Sequence, residues 1–508
     1  MIKAIKGTRD ILPPQSTLWN HVEAVTRRVF TAYNYAEIRT PIFEETALFA
    51  RGVGEETDIV TKEMYTFDDR DGTSLTLRPE NTASVIRSYI EHRMDQQPGL
   101  KKLYYIGPMF RRERPQKGRY RQFFQIGAEA IGSASPVIDA EVIEMVVVFL
   151  QECGLKDSHL VINSVGDLES RARYIARLRE ALEPVKDRLS EDNRRRAVTN
   201  PLRVLDSKDP QDEPIIAGLP NIIDDLNDEC RDHFAKVRML LDDRGIQYEV
   251  RPRLVRGLDY YTHTTFEIVH GALGAQNSIC GGGRYNGLAE SLGSKVAAPG
   301  IGFSIGEDRL VMAVEETGAV TTSAGPELFI APLGEAALRH AAQLASELRA
   351  QGTRVELSTD SKLKRALEVA NKTGAKRVLI IGDDEIAAGT YTVKDMASGE
   401  QQKLTRAQLA GAEHNGLRTT TRLFGRTTPD ASLRSIEKVR FGQSRARDGM
   451  GAPGSRSRRL AVHAHAGPRG DHADRFPVGS RQSAARSRCA GSQRVCHCGG
   501  GRSRAAFR

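Results

Sequence analysis

A chain of 508 residues with 39% hydrophobic content can bury more than one core, so two to four domains are expected. No apolar run reaches the length of a bilayer span and Met1–Asp10 lacks a secretory apolar stretch, so the expectation is a cytoplasmic protein with no membrane partner. The net charge of +9 is uneven: residues 411–508 hold 19 Arg, one Lys and six acids, leaving residues 1–410 at −5 and excluding a general basic surface on the body.

In chain order, Leu18, Val22, Val25, Val29 and Phe30 predict a helix over 17–34, and Tyr35–Pro41 continues as an extended segment. Short strands and turns follow through 57–79, with a turn at Asp69–Gly72, and residues 80–92 read as helical. A strand at Lys102–Phe110 and an alternating segment at Phe123–Ala128 make a hairpin, and Asp139–Glu152 is a further helix. Residues 167–250 carry long, charged helical periodicity and predict an inserted helical module. Strands return at 264–269 and around 276–280, Gly281–Gly283 is expected to be a sharp turn, and Pro299–Val314 reads as a strand entering a helix.

Antiparallel strands interrupted by helices predict an α+β core in two parts, 1–166 and 251–322, around the insertion. Residues 327–410 alternate strand and helix as a compact α/β domain. The segment 411–508 nearly lacks large apolar residues, so disorder or a slipped reading frame is expected there. Cys153, Cys230 and Cys280 have no metal-ligand spacing, and Cys489, Cys496, His497 and Cys498 are poorly spaced for zinc, so no protein-held metal is expected.

The hairpin tip, residues 110–125, reads FRRERPQKGRYRQFFQ. Arg111, Arg112, Arg114, Lys117, Arg119 and Arg121 face a single acid, Glu113. Such a cluster repels itself unless a polyanion sits among the side chains, and the choice of Arg over Lys suits bidentate contact with phosphate oxygens. A merely solvated basic hairpin is the alternative. Further arginines lie in Leu77–Thr82 (LRPENT), Leu254–Glu267 (LVRGLDYYTHTTFE), Cys280–Leu288 (CGGGRYNGL) and Gly300–Leu310 (GIGFSIGEDRL), where glycines allow a ligand close to the backbone.

Together these segments, with NPLRVLDSK at Asn200–Lys208, closely resemble a bacterial-type histidyl-tRNA synthetase, a class II aminoacyl-tRNA synthetase, over about residues 1–410. Helix 17–34 with Pro41 resembles motif 1 of the class, the basic hairpin motif 2, and GIGFSIGEDRL motif 3. LVRGLDYY and CGGGRYNGL resemble the histidine-specific motifs.

The resemblance implies ligation of L-histidine to tRNA(His) through an adenylate, with ATP as substrate, Mg2+ alongside it, and a homodimer. It gives catalysis to Arg256 and Arg111, the latter on the α-phosphate. It places Arg309 and Arg119 on the far phosphates and Phe123 against adenine, opposite Arg309. It gives the histidine ammonium to Glu80, Thr82 and Gln125, and the imidazole to Glu129 and Tyr261, with Tyr260 beside them. Gln116 is expected at the tRNA acceptor end, and 327–410 at the anticodon. Taken alone, Arg256 could instead pair with Asp259, Glu129 could be an ordinary strand carboxylate, and Tyr260 and Tyr261 could be core aromatics.

Asn81, Phe124, Asn286 and Asp308 depart from the family's commonest residues, and Asn81 is placed to crowd the amino-group pocket. The alternatives are a catalytically silent histidine-sensing regulatory subunit of ATP phosphoribosyltransferase and an RNA-binding pseudo-synthetase. The intact motifs argue against both.

Overall fold

The computed structural model describes residues 2–54, 57–207, 209–255, 257–271, 273, 277–320, 325–360 and 362–411. Arg256 and the segment 412–508 therefore lie outside the described residues.

Helix α1 (Gln15–Ala32) buries Leu18, Trp19, Val22, Val25, Val29 and Phe30, the apolar stripe that predicts it. After β1 (Ala36–Glu37) come β2 (Phe43–Glu45), α2 (Thr46–Val53), β3 (Tyr65–Asp68) and β4 (Ser74–Leu77). The last three strands form a small sheet in the order β2-β4-β3. Its β3–β4 turn is the predicted one, with Gly72 at φ +87° and the Gly72 N–H donating to the Asp69 carbonyl. Helix α2 has no counterpart among the predicted elements.

Helix α3 (Thr82–Glu91) precedes the long antiparallel hairpin β5 (Lys101–Phe110) and β6 (Gln122–Ile131). Helix α4 (Pro136–Glu152) starts with Ser135 accepting from the Val137 N–H and a proline in its first turn, where no amide partner is needed. Strand β7 (His159–Ser164) leads into α5 (Leu168–Leu182), α6 (Glu191–Thr199), α7 (Glu213–Ala217) and α8 (Asp228–Asp243). The first part of this module has its own apolar cluster, including Tyr174, Leu178, Leu189 and Leu202. Helix α8 instead sends Phe234, Val237 and Leu241 into the main core, where Val146 and Phe149 of α4 also lie.

The chain re-enters the core as β8 (Glu249–Val250), β9 (Thr262–Val269), β10 (Ser278–Arg284), α9 (Leu288–Ser291), β11 (Gly300–Gly306) and α10 (Glu307–Thr317). An eight-stranded sheet results, in the order β1-β5-β6-β11-β10-β9-β7-β8. Its interior pairings are antiparallel, and β1 and β8 join the two edges in parallel. Gly281–Gly283 is not the expected turn: these residues run through the middle of β10. Their glycine character serves close approach, since a Cβ at Gly283 would lie 2.6 Å from the Thr264 carbonyl and 2.8 Å from the Tyr261 ring.

Side-chain alternation gives the sheet two different faces. On β6, Phe124, Ile126, Ala128 and Ala130 belong to the main core, as do Ile301, Phe303 and Ile305 on β11. The intervening positions of β6, among them Phe123, Gln125 and Glu129, turn to the other face. A beginning of this pattern is visible in the sequence, but only the register decides which residues meet across strands.

The C-terminal domain comprises β12 (Leu328–Pro332), α11 (Glu335–Ala350), β13 (Val355–Leu357), α12 (Leu363–Lys372), β14 (Arg377–Ile381), α13 (Asp383–Ala388), β15 (Thr390–Asp395), β16 (Gln401–Thr405) and α14 (Arg406–Gly411). Its sheet runs β13-β12-β14-β15-β16, parallel through β14 and antiparallel beyond. The predicted α/β alternation is present, and the terminal hairpin β15–β16 extends it.

Candidate active site

The basic loop closes on itself at its tip. Gln116 and Arg119 exchange backbone hydrogen bonds of 3.1 and 2.9 Å, and Gly118 sits at φ +75°, a conformation glycine adopts without a Cβ penalty. Below the tip, Arg111, Arg119, Phe123 and Gln125 line one cleft of about 680 Å³ together with Arg309 from α10. Residues 190 positions apart in the chain thus share one cavity because β11 lies beside β6 and delivers α10 to the loop.

Each guanidinium is braced. Arg111 donates through Nε to the Pro79 carbonyl at 2.9 Å and lies 5.2 Å from the centre of the Phe123 ring. Glu113 approaches Arg111 at 3.8 Å and Arg119 at 3.5 Å, so the loop's one acid spaces two of its cations. Arg309 donates to the Gly118 carbonyl at 3.3 Å and the Ser278 carbonyl at 3.1 Å. Burial, then the neighbouring Arg119 charge, lowers the pKa of Arg309, opposed by Glu113 and Glu267.

Deeper in the fold is a buried polar cluster. The Glu80 carboxylate accepts from the backbone N–H groups of Thr82 at 2.7 Å and Ala83 at 3.0 Å, satisfying the open start of α3. Burial raises its pKa, opposed by those same bonds. Thr82 donates its hydroxyl to Glu129 Oε1 at 2.7 Å, and the Tyr285 hydroxyl donates to Glu129 Oε2 at 2.6 Å. Burial pushes the Glu129 carboxyl up to about 8, despite these two bonds. Glycine makes room for it: a Cβ at Gly302, directly across from Glu129 in the strand register, would collide with the carboxylate. Gln125 is buried, lines the cleft, and leaves its Oε1 without a hydrogen-bond partner among the described residues. Such an acceptor calls for a donor from a ligand.

The sequence-derived site thus separates into two groups. Arg111, Arg119, Phe123, Gln125 and Arg309 line the cleft. Glu80, Thr82 and Glu129 form the polar cluster behind it. Tyr260 lies 4.7 Å from Tyr261 and 5.9 Å from Tyr285, ring centre to ring centre. Tyr261 is buried in the apolar cluster of the helical module, with Tyr174 and Leu202. Gln116 is exposed at the loop tip. Arg256 is outside the described residues, though Val255 and Gly257 on either side of it line the cleft. Asp259, its alternative partner, is engaged by Arg171 at 3.6 Å and Asn200 at 3.4 Å.

Not every motif arginine reaches a ligand. Arg284 of CGGGRYNGL is fully buried, bonding Asp139 and the carbonyls of Ser133 and Ser135. Arg78 of LRPENT spans the carbonyls of Pro108 and Thr40. Both brace the backbone, a role that residue type cannot distinguish from ligand binding. Asn81 accepts from Thr40 at 2.6 Å, and Phe124 packs edge-on against Trp19 in the core. Sequence reasoning missed that Tyr285 contacts Glu129 and that Glu267 and Asp308 lie on the cleft wall. Tyr285 stood within a quoted motif, but its contact with Glu129 spans 156 positions and leaves no local signal.

Comparison with known proteins meets this geometry. The family model described as Histidyl-tRNA synthetase matches residues 7–310, and that described as Anticodon binding domain matches 327–412. Histidine--tRNA ligase of Solibacter usitatus (strain Ellin6076) is 68% identical over 410 residues, covering 81% of this chain and 98% of its own length. The Koribacter versatilis (strain Ellin345) protein of the same name is 57% identical over 426 residues, covering 81% and 95%. The crystal structure of apo S. aureus histidyl-tRNA synthetase aligns with a TM-score of 0.67 at 42% identity, covering 81% of this chain and 99% of that one. On the matched motifs, the shared sheet and the cleft they enclose, the chain belongs to the histidyl-tRNA synthetase family.

Proposed function

We propose that this chain catalyses attack of the L-histidine carboxylate on the α-phosphate of ATP, expelling pyrophosphate to leave histidyl-adenylate, and then transfers the histidyl group to tRNA(His) with release of AMP, using the cleft beneath the basic loop. The observation that carries the reading is the meeting of Arg111, Arg119 and Arg309 around one cavity with Phe123 on its wall. Attack of a carboxylate on a phosphate brings two anions together. Positioning and charge neutralisation therefore carry most of the rate. Arg111 holds the α-phosphate and Arg256 bridges it to the histidine carboxylate, while Arg309 and Arg119 take the outer phosphates. Phe123 and Arg309 enclose the adenine.

Magnesium takes oxygen ligands, but Glu113 is already engaged by Arg111 and Arg119. No cluster of three carboxylate, histidine or cysteine ligands occurs among the described residues. The ion would therefore be carried in on the triphosphate oxygens, with Glu267 on the cleft wall the residue that would help hold it. When bound it would offset phosphate charge. Gln125, Glu80 and Thr82 receive the histidine ammonium. Glu129, with Tyr285 bonded to it, and Tyr260 and Tyr261 meet the imidazole. A pocket that bonds both ends of histidine rejects analogues that leave those groups unpaired. Gln116 meets the acceptor end of the tRNA, and residues 327–410 meet the anticodon. The enzyme acts in the cytoplasm as a homodimer with α1 at the two-fold interface.

The test is histidine-dependent exchange of pyrophosphate into ATP, followed by transfer to tRNA. Exchange and transfer are both expected. Absence of exchange with purified protein would favour the regulatory-subunit reading instead.

A further inference from the structure

The N-terminal segment before α1 packs against the basic loop and the start of α10. The Gly7 carbonyl accepts the Arg121 N–H at 2.7 Å, and Gly7 sits at φ +92°. A Cβ there would lie 2.7 Å from the Arg121 side chain and 3.0 Å from Pro115, so this segment touches both legs of the basic loop. Two residues on, Arg9 donates through Nη2 to Asp308 Oδ1 at 2.8 Å, and its guanidinium lies 4.5 Å from the centre of the Tyr120 ring. It also bonds Gln15 at 3.4 Å. The other Asp308 oxygen accepts the Phe124 N–H at 3.0 Å.

Tyr120 and Asp308 both line the cleft beside Phe123 and Arg309. The Asp308 side chain is only 5% exposed, so its charge is poorly screened by solvent. A carboxylate on the wall of a phosphate-binding cleft repels the incoming anion unless a cation offsets it. Arg9 supplies that cation, and its planar group packs against the Tyr120 ring of the loop.

We propose that Arg9 is a positioning residue for ATP: it neutralises Asp308, so that the cleft wall beside Arg309 carries no uncompensated negative charge. The proposal rests on reading the cleft as the ATP site, and it concerns ATP rather than histidine. It is tested on the full chain by calorimetric titration with ATP and, separately, with histidine. Arg9→Ala should weaken ATP binding by about tenfold or more while leaving histidine affinity within about twofold, as expected for loss of a charge-assisted bond at one ligand only. Arg9→Lys, which keeps charge without the planar fork, should fall between.

The sharper result comes from Arg9→Ala combined with Asp308→Asn. The asparagine still accepts from Phe124 but carries no charge, so ATP affinity should recover to within about threefold of wild type. Unchanged ATP binding in Arg9→Ala would overturn the proposal. So would equal weakening for both ligands with a lower melting temperature, which marks general structural damage. Failure of the double variant to recover would equally sink it. Should Arg9→Ala not fold, Asp308→Asn alone decides: it must bind ATP at least as well as wild type. A wild-type chain that binds ATP but shows no histidine-dependent exchange would defeat the functional reading and leave this comparison intact.

Discussion

Glu129 shows how one buried carboxyl sets a pH dependence. Its pKa is pushed up from 4.5 to about 8, chiefly by burial. Accepting an imidazole N–H as a carboxylate requires release of that proton. Histidine affinity should therefore rise as pH increases through about 8 and level off above it. Glu129→Gln should remove this dependence and weaken histidine binding by about 1.5–3 kcal/mol, the scale of a hydrogen bond to a charged group, measured by calorimetry from about pH 6.5 to 8.5. The same shift acts on folding with the opposite sense. The unfolded chain ionises Glu129 near 4.5 while the fold holds its proton to about 8, so its contribution to stability falls across that window and is flat beyond. Glu307 is a second case without a ligand to serve. It is fully buried, raised to about 9 by burial, and neither oxygen has a hydrogen-bond partner among the described residues. Glu307→Met should stabilise the protein by about 1–3 kcal/mol at neutral pH, read from a denaturant midpoint, because an unsatisfied buried polar group is removed. A lower midpoint would mean that the carboxyl has a partner in the assembled protein.

At the scale of elements, the site depends on where strands carry no side chain. Gly302 of β11 faces Glu129 of β6, and a methyl there would strike both the carboxylate and the Ala128 carbonyl. Gly302→Ala should cost about 1–3 kcal/mol of stability by overpacking. It should also abolish histidine binding while ATP still binds, separable by titrating each ligand. These glycines illustrate the limit of local reading. A run such as Gly281–Gly283 suggests a turn by composition, yet it lies within β10 because Thr264, Phe266 and Tyr261 press against it. Helices α1, α4 and α10 were legible because one stripe of each meets the core, whereas α3 is buried nearly all round. Helix α2 was not, since eight residues between short strands offer little periodicity. The arginine motifs were legible as motifs, but Arg78 and Arg284 turn inward to carbonyls and Asp139 while Arg111 and Arg309 face the cleft.

At the scale of the whole molecule, the family-model matches end at residue 412, and 410 aligned residues of this chain cover 98% of the 68% identical relative. A chain ending at residue 412 should therefore keep its melting temperature and its pyrophosphate exchange within about twofold. It should lose only salt-sensitive, nonspecific RNA affinity, since the removed segment carries a net charge of +14 against −5 for the rest and counterion release governs such binding. A filter-binding titration against salt checks this, and loss of exchange on truncation would refute it. Residue type, spacing and periodicity by themselves determined the α+β core with its inserted helices, the second α/β domain and the chemical character of the basic loop, because these signals are local and repeat along the chain; the family came from the resemblance of the quoted motifs. The tertiary structure alone decided which arginines share the cleft, that Tyr285 and Thr82 hold Glu129, and that Arg9 reaches Asp308. Those pairings join residues as much as 299 positions apart. Their energy comes from burial and register across the sheet, which no stretch of sequence contains by itself.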